Sequence, residues 1–95
     1  MKRRLRPPTT TLPPHVVIRT FALETILLDV QTGTYYGLSP DQGVMLECLL
    51  GHGTISAAAQ VLAEAGWGAV HEIVDELRAL CAQLEQLALL RQVAA

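Results

Sequence analysis

The chain has 95 residues, of which 51% are hydrophobic and 17% charged, and its net charge is −2. This composition excludes a disordered chain, which needs low hydrophobicity and high charge, and the length is typical of one domain. Four of the seven cations, Lys2, Arg3, Arg4 and Arg6, stand at the start of the chain. The acidic remainder lacks the basic excess of a nucleic-acid binder, so we expect no nucleic-acid partner.

Residues 1–14 contain four prolines and a threonine run, which predicts a flexible, basic, Pro-rich tail. No apolar run approaches the roughly 20 residues of a membrane span, and no apolar stretch follows the basic start as in a secretory signal. Cys48 and Cys81 lie far apart within apolar runs and are interpreted as buried thiols in a reducing compartment. We therefore expect a cytoplasmic protein with no membrane partner.

Three strands are predicted in the first part of the folded region. Residues 15–21 are rich in β-branched side chains, residues 25–30 alternate between two faces, and residues 34–38 form a third short strand. The turn at residues 31–33 ends in Gly33, which tolerates a positive φ. Short links between consecutive strands predict an antiparallel meander.

Three helices follow the strands. Ser39, Pro40 and Gln42 form a helix start with a capping box, and a Gly-bounded segment at residues 51–53 ends that helix. Thr54 caps a second helix to about Ala65. A third begins at Val70 with an apolar stripe of helical spacing, and residues 87–91 either continue it or form a return segment. The predicted fold class is α+β: a winged helix-turn-helix-like domain over residues 15–91, with a three-stranded antiparallel sheet followed by three helices.

The sequence offers no motif for catalysis, and no cofactor is expected. The histidines His15, His52 and His71 are scattered, without metal-ligand spacing, so no metal site is predicted. Cys48 and His52 are four residues apart, but no acid orients the histidine, and we interpret the thiol as structural. The prediction is a protein that is not an enzyme.

The segment 28–39, Leu-Asp-Val-Gln-Thr-Gly-Thr-Tyr-Tyr-Gly-Leu-Ser, resembles the strand–turn–strand of the PqqD-like family. These are peptide-recognition elements of ribosomal peptide biosynthesis, also called RiPP recognition elements. The resemblance continues through residues 43–50 and the later helices and covers about residues 16–90. One departure is residues 45–47, where the family often has a Trp. With its basic, Pro-rich N-terminus, the chain looks most like the stand-alone protein of lasso-peptide biosynthesis. The pyrroloquinoline-quinone pathway and other modified-peptide pathways stay open as alternatives.

The resemblance implies that the precursor leader peptide binds by strand addition at the third strand, with the last helix as the second wall. The implied partners are the leader, a leader peptidase of the transglutaminase-like cysteine protease type, and the ATP-dependent cyclase as a further candidate. The implied peptide-binding residues are Val30, Thr34, Tyr35, Tyr36, Gly37, Leu38, Val70, Val74, Leu77, Arg78 and Cys81.

Two questions stay open from the sequence. Alternation along the third strand sends one of Tyr35 and Tyr36 toward the groove and the other away, without saying which. The shape of the fold also admits a winged-helix DNA-binding regulator, although Glu72, Asp75 and Glu76 at the start of the third helix would repel phosphates.

Overall fold

The computed structural model describes residues 8–22 and 24–93. The elements in chain order are β1 (Thr9–Thr11), β2 (Val16–Phe21), β3 (Glu24–Asp29), β4 (Tyr35–Leu38), α1 (Pro40–His52), α2 (Ile55–Glu64), α3 (Val70–Gln86) and β5 (Arg91–Val93). Strands β2, β3 and β4 form an antiparallel sheet with β3 in the centre. The predicted order of a three-stranded sheet and three helices is confirmed.

The pleat of the sheet gives it one buried and one solvent-facing side. Ile18, Leu27 and Tyr36 are cross-strand partners on the side that packs against the helices, and Leu27 is fully buried. Val17, Leu28 and Tyr35 form the neighbouring row on the outer side. The inner row therefore joins all three strands to the core.

The helix boundaries follow the capping signals. Ser39 accepts a hydrogen bond from the Gln42 amide, and the Gln42 side chain accepts one from the Ser39 amide. Gly53 ends α1 with a φ of +85°, and Thr54 caps α2 through the Ala57 amide. Within the described ranges, no helix is long and apolar enough to cross a membrane.

The core is aliphatic and lies between the sheet and the three helices. Its fully buried members include Leu27, Leu46, Leu49, Leu77 and Leu84. In the segment that departs from the family pattern, Met45 and Leu46 pack into the core and Glu47 is exposed. All three helices and the central strand thus share one apolar centre.

Residues 9–11 differ from the expectation of a flexible tail over residues 1–14. They form β1, which pairs antiparallel with β5 at the other end of the chain. Thr10 is buried: its amide donates to the Gly53 carbonyl (2.7 Å), and its hydroxyl donates to the Gln92 side chain (2.9 Å). The threonines supply the β propensity, and β5 supplies a partner that composition alone does not reveal. Residues 1–7 lie outside the described residues.

A close contact between Gly43 and Thr25 holds α1 against the sheet. A Cβ at Gly43 would stand 2.4 Å from the Thr25 hydroxyl oxygen and 2.9 Å from its Cβ, and both residues are buried. Gly51 lies in the same helix and is exposed, and a Cβ there would meet nothing within 4 Å. The first glycine is therefore required for packing, whereas the second is not.

Replacing Gly43 by Ala should lower the free energy of unfolding by about 1–3 kcal/mol, because the buried Thr25 has to move. Gly51→Ala is the matched control and should raise it by about 0.5–1 kcal/mol through helix propensity. Urea denaturation followed by circular dichroism measures both. Equal effects of the two substitutions would contradict the packing role of Gly43.

Candidate functional site

The position of β4 is set by the turn that precedes it. The Asp29 carboxylate accepts hydrogen bonds from the Gln31 amide (2.9 Å) and the Thr32 amide (3.2 Å), and the Gly33 amide donates to the Asp29 carbonyl (2.8 Å). Gly33 has a φ of +78°, which glycine adopts without steric cost. This network fixes the register in which Tyr35 lies opposite Leu28.

The register determines which backbone groups of β4 remain unpaired by β3. The Asp29 amide donates to the Thr34 carbonyl (2.9 Å), so Asp29 and Thr34 form a hydrogen-bonded pair. Hydrogen-bonded and non-hydrogen-bonded pairs alternate along antiparallel strands, so the amide and carbonyl groups of Tyr36 and Leu38 point toward β3. The amide and carbonyl groups of Tyr35 and Gly37 consequently point away from the sheet. Within residues 8–22 and 24–93, no strand pairs with this edge.

The two tyrosines lie on opposite faces of β4. Tyr36 points toward the helices, where it is half-buried, and its hydroxyl accepts a hydrogen bond from the Gln83 side chain of α3. Tyr35 lies on the outer face with 73% of its surface exposed. The question left open by the sequence is thereby answered: Tyr36 faces α3, and Tyr35 faces solvent.

The contact between Tyr36 and Gln83 identifies the side of α3 that looks toward β4. A shallow cavity of about 230 Å³ lies on this side, between α1 and α3. We call this side the β4-facing flank of α3. The cavity is lined by Gln42, Met45, Glu76, Ala79, Leu80 and Gln83.

The α3 residues implied by the family resemblance lie elsewhere. Leu77 is fully buried in the core. Val74, Arg78 and Cys81 line a separate cavity of about 580 Å³, together with the start of α2, with Pro8 next to β1 and with Gln92 of β5. Val70 lines a third cavity, next to α2. None of these α3 residues lines the cavity beside Gln83.

The implied residues around β4 also separate into groups. Tyr35 and Gly37 hold the outward backbone groups, whereas Leu38 is buried in the core. Val30 and Thr34 belong to the turn region: the Val30 amide donates to the His15 carbonyl (2.9 Å), and the Thr34 hydroxyl contacts that of Thr32. Only part of the predicted set therefore lies at the open edge.

The peptide-binding residues implied by the resemblance do not include those of the β4-facing flank. Glu76, Ala79 and Gln83 repeat at helical spacing along α3, parallel to the buried stripe, but they are exposed and only partly polar. Apolar periodicity identifies the buried stripe and does not tell which of its two borders faces the sheet. The sequence feature that marks this flank is the helical spacing of Glu76, Ala79 and Gln83.

The two thiols are poor nucleophiles. The Cys48 thiol donates weakly to the Ala58 carbonyl (3.8 Å), and burial raises its pKa. Burial raises the pKa of Cys81 to about 11, and the nearby Glu85 charge acts in the same direction. A hydrogen bond with Gln92 acts in the opposite direction. Across residues 8–22 and 24–93, no three His, Cys, Asp or Glu side chains cluster as metal ligands would.

No family model matches the sequence, and no curated protein matches it significantly. Two solved structures do resemble the fold. One is described as TbiB1 in complex with the TbiA(beta) leader peptide; it has a TM-score of 0.76 and 23% sequence identity, and the match covers 88% of this chain and 98% of that one. The other is described as lasso peptide synthetase B1 complexed with the leader peptide; it has a TM-score of 0.78 and 19% identity, over 87% and 98% of the two chains.

This chain has the fold of lasso peptide synthetase B1. The fold expected from the PqqD-like resemblance is therefore confirmed. At these identities the likeness establishes the architecture. The roles of individual residues rest on the geometry described above.

The raised pKa of Cys81 predicts a pH-dependent stability. Its unfolded thiol ionises near pH 9 and its folded thiol near pH 11, so the folded state holds more protons in that window. The free energy of unfolding should therefore fall by on the order of 2 kcal/mol from pH 9 to pH 11. In Cys81→Ala this decline should be smaller. Guanidinium titrations at each pH measure it, and parallel profiles for the two proteins would contradict the prediction.

Proposed function

We propose that this chain binds the leader segment of a ribosomally made precursor peptide, without catalysing a reaction, in lasso-peptide or related modified-peptide biosynthesis. The observation that carries the proposal is the open edge of β4, where Tyr35 and Gly37 direct backbone groups outward beside α3. The two structural neighbours are described as complexes with leader peptides, which supports this assignment.

The mechanism is the addition of an extended peptide as a new strand. Tyr35 and Gly37 together offer two amides and two carbonyls, and each hydrogen bond contributes about 0.5–1.5 kcal/mol net. These bonds are independent of the guest's side chains, so they supply affinity without sequence selectivity. Alternate side chains of the guest then point toward the β4-facing flank of α3 or onto the outer face of the sheet.

The bound leader would bring its precursor to other proteins for chemistry. We propose a leader peptidase of the transglutaminase-like cysteine protease type as the partner that removes the leader, with the ATP-dependent cyclase acting next. The raised thiol pKa values support a binding role, because a protonated thiol is a weak nucleophile. A cytoplasmic location suits free thiols of this kind.

A DNA-binding role has no comparable support. The exposed start of α3 carries Glu72, Asp75 and Glu76, which would lie against phosphates if α3 entered a DNA groove. The charge of this surface opposes such a contact.

The edge-strand mechanism predicts that Tyr35→Pro abolishes leader binding. The substitution removes an outward amide and puts the pyrrolidine ring where the guest carbonyl would lie, and it leaves the pairing with β3 in place. Thr20→Pro is the matched control, since the alternation along β2 directs the Thr20 amide outward at the opposite edge. Fluorescence anisotropy measures the affinity, with a labelled precursor leader peptide that the wild-type chain binds. Unchanged binding by Tyr35→Pro, with a native circular dichroism spectrum, would reject the mechanism.

A pair of tryptophan substitutions tests which flank of α3 faces the guest. Ala79 and Ala82 are both exposed on α3, but Ala79 lies on the β4-facing flank and Ala82 in the larger cavity. Ala79→Trp should weaken leader binding at least tenfold by filling the cavity between α1 and α3. Ala82→Trp should leave the affinity within about twofold of the wild-type value. The same anisotropy assay applies. The reverse order would instead favour the surface formed by Val74, Arg78 and Cys81.

A further inference from the structure

The outer face of the sheet has an acidic corner beside the open edge. Gly37 lies on this face and presents no side chain. The Glu24 carboxylate stands 3.7 Å from the point that a Cβ at Gly37 would occupy, so its side chain reaches toward the bare backbone of β4. Phe21 is the cross-strand partner of Glu24, and 60% of its surface is exposed.

These residues border a cavity of about 570 Å³, which is larger than any single side chain. Among the residues that the structure describes, its lining contains one carboxylate and no cation, and the rest is apolar or neutral. The lining residues are Phe21, Ala22, Glu24, Gly37, Leu38, Ser39 and Pro40.

The Glu24 carboxylate lacks a cationic partner within residues 8–22 and 24–93. Arg19 shares the outer face, but its guanidinium donates to the Ile18 carbonyl of its own strand (3.0 Å). An apolar guest side chain placed over Gly37 would remove water from Glu24 without replacing its hydrogen bonds, which is unfavourable. A guest cation would restore them.

We infer that the acidic corner selects a lysine or arginine in the guest peptide, at the position that pairs with Gly37. The inference rests on the proposed strand addition at β4 and names a determinant of its specificity. The guest residue paired with Gly37 points onto the outer face, where the missing side chain leaves space. Its aliphatic stem lies across Gly37, its cation pairs with Glu24, and the Phe21 ring on the far side of Glu24 adds a cation–π contact.

Selection from a displayed library of random 12-residue peptides tests this inference on the full chain. The wild-type protein should enrich peptides with Lys or Arg at one fixed position. Glu24→Lys should enrich Asp or Glu at that position, because the charge of the corner is reversed. Glu24 is exposed at the start of β3, and circular dichroism verifies that the variant keeps its fold.

A double-mutant cycle on one selected peptide gives the magnitude. Replacing its basic residue by Ala should lower the affinity for wild type about threefold to tenfold, and should have little effect on the affinity for Glu24→Gln. Tyr35→Pro should abolish binding of the same peptide.

The outcomes separate the two proposals. The role of Glu24 would be overturned by peptides that depend on Tyr35 but show no preference for a basic residue. It would also be overturned if the Glu24→Lys variant selected the same basic residue as wild type. Both results would leave strand addition intact. If no selected peptide is sensitive to Tyr35→Pro, strand addition at β4 fails, and the inference about Glu24 fails with it.

Discussion

The proposed function depends on the backbone amide and carbonyl groups that β4 leaves unpaired at its outer edge. Tyr36 and Leu38 direct their backbone groups to β3, so the strand is firmly held on one side. Tyr35 and Gly37 direct theirs outward, and on the inner side the Gln83 side chain of α3 donates a hydrogen bond to the Tyr36 hydroxyl. The sheet therefore has room for one more extended segment, with a helix beside it.

The packing of the core keeps this edge accessible. Gly43 brings α1 directly under the central strand through its contact with Thr25, so the inner face of the sheet is covered near its middle. The buried leucines Leu77 and Leu84 bind α3 to the same core. Stability thus comes from the centre of the sheet and the helices, and the edge does not have to contribute to it. Such a division allows a binding surface to remain unpaired without weakening the fold.

Much of the architecture followed from local patterns in the sequence. Ser39, Gln42 and Thr54 form the predicted caps, because capping depends on residues only three apart. Long-range pairing was less accessible: the strand at residues 9–11 exists because residues 91–93 return to meet it, about 80 positions later. The return segment itself stayed undecided for the same reason.

The strand of the candidate site could be predicted from the sequence, whereas the residues of α3 that face this strand could not. The turn at Asp29 and Gly33 and the two tyrosines mark β4 from sequence alone. On α3, periodicity separates buried from exposed positions, but the choice between the borders at Val74 and at Ala79 depends on how the helix is rotated against the sheet. That rotation is a property of the packed core, which no single segment encodes.

The ribbon formed by β1 and β5 has a consequence for engineering. Thr9 lies opposite Val93, so the two ends of the described chain are neighbours, and Pro8 and Gln92 both border the large cavity on the side of α3 that faces away from β4. In a chain trimmed to residues 8–93, a fluorescent protein or affinity tag attached at either end would start remote from the guest strand. A short linker between the ends would also permit circular permutation, with new termini opened at the exposed glycine loop between α2 and α3.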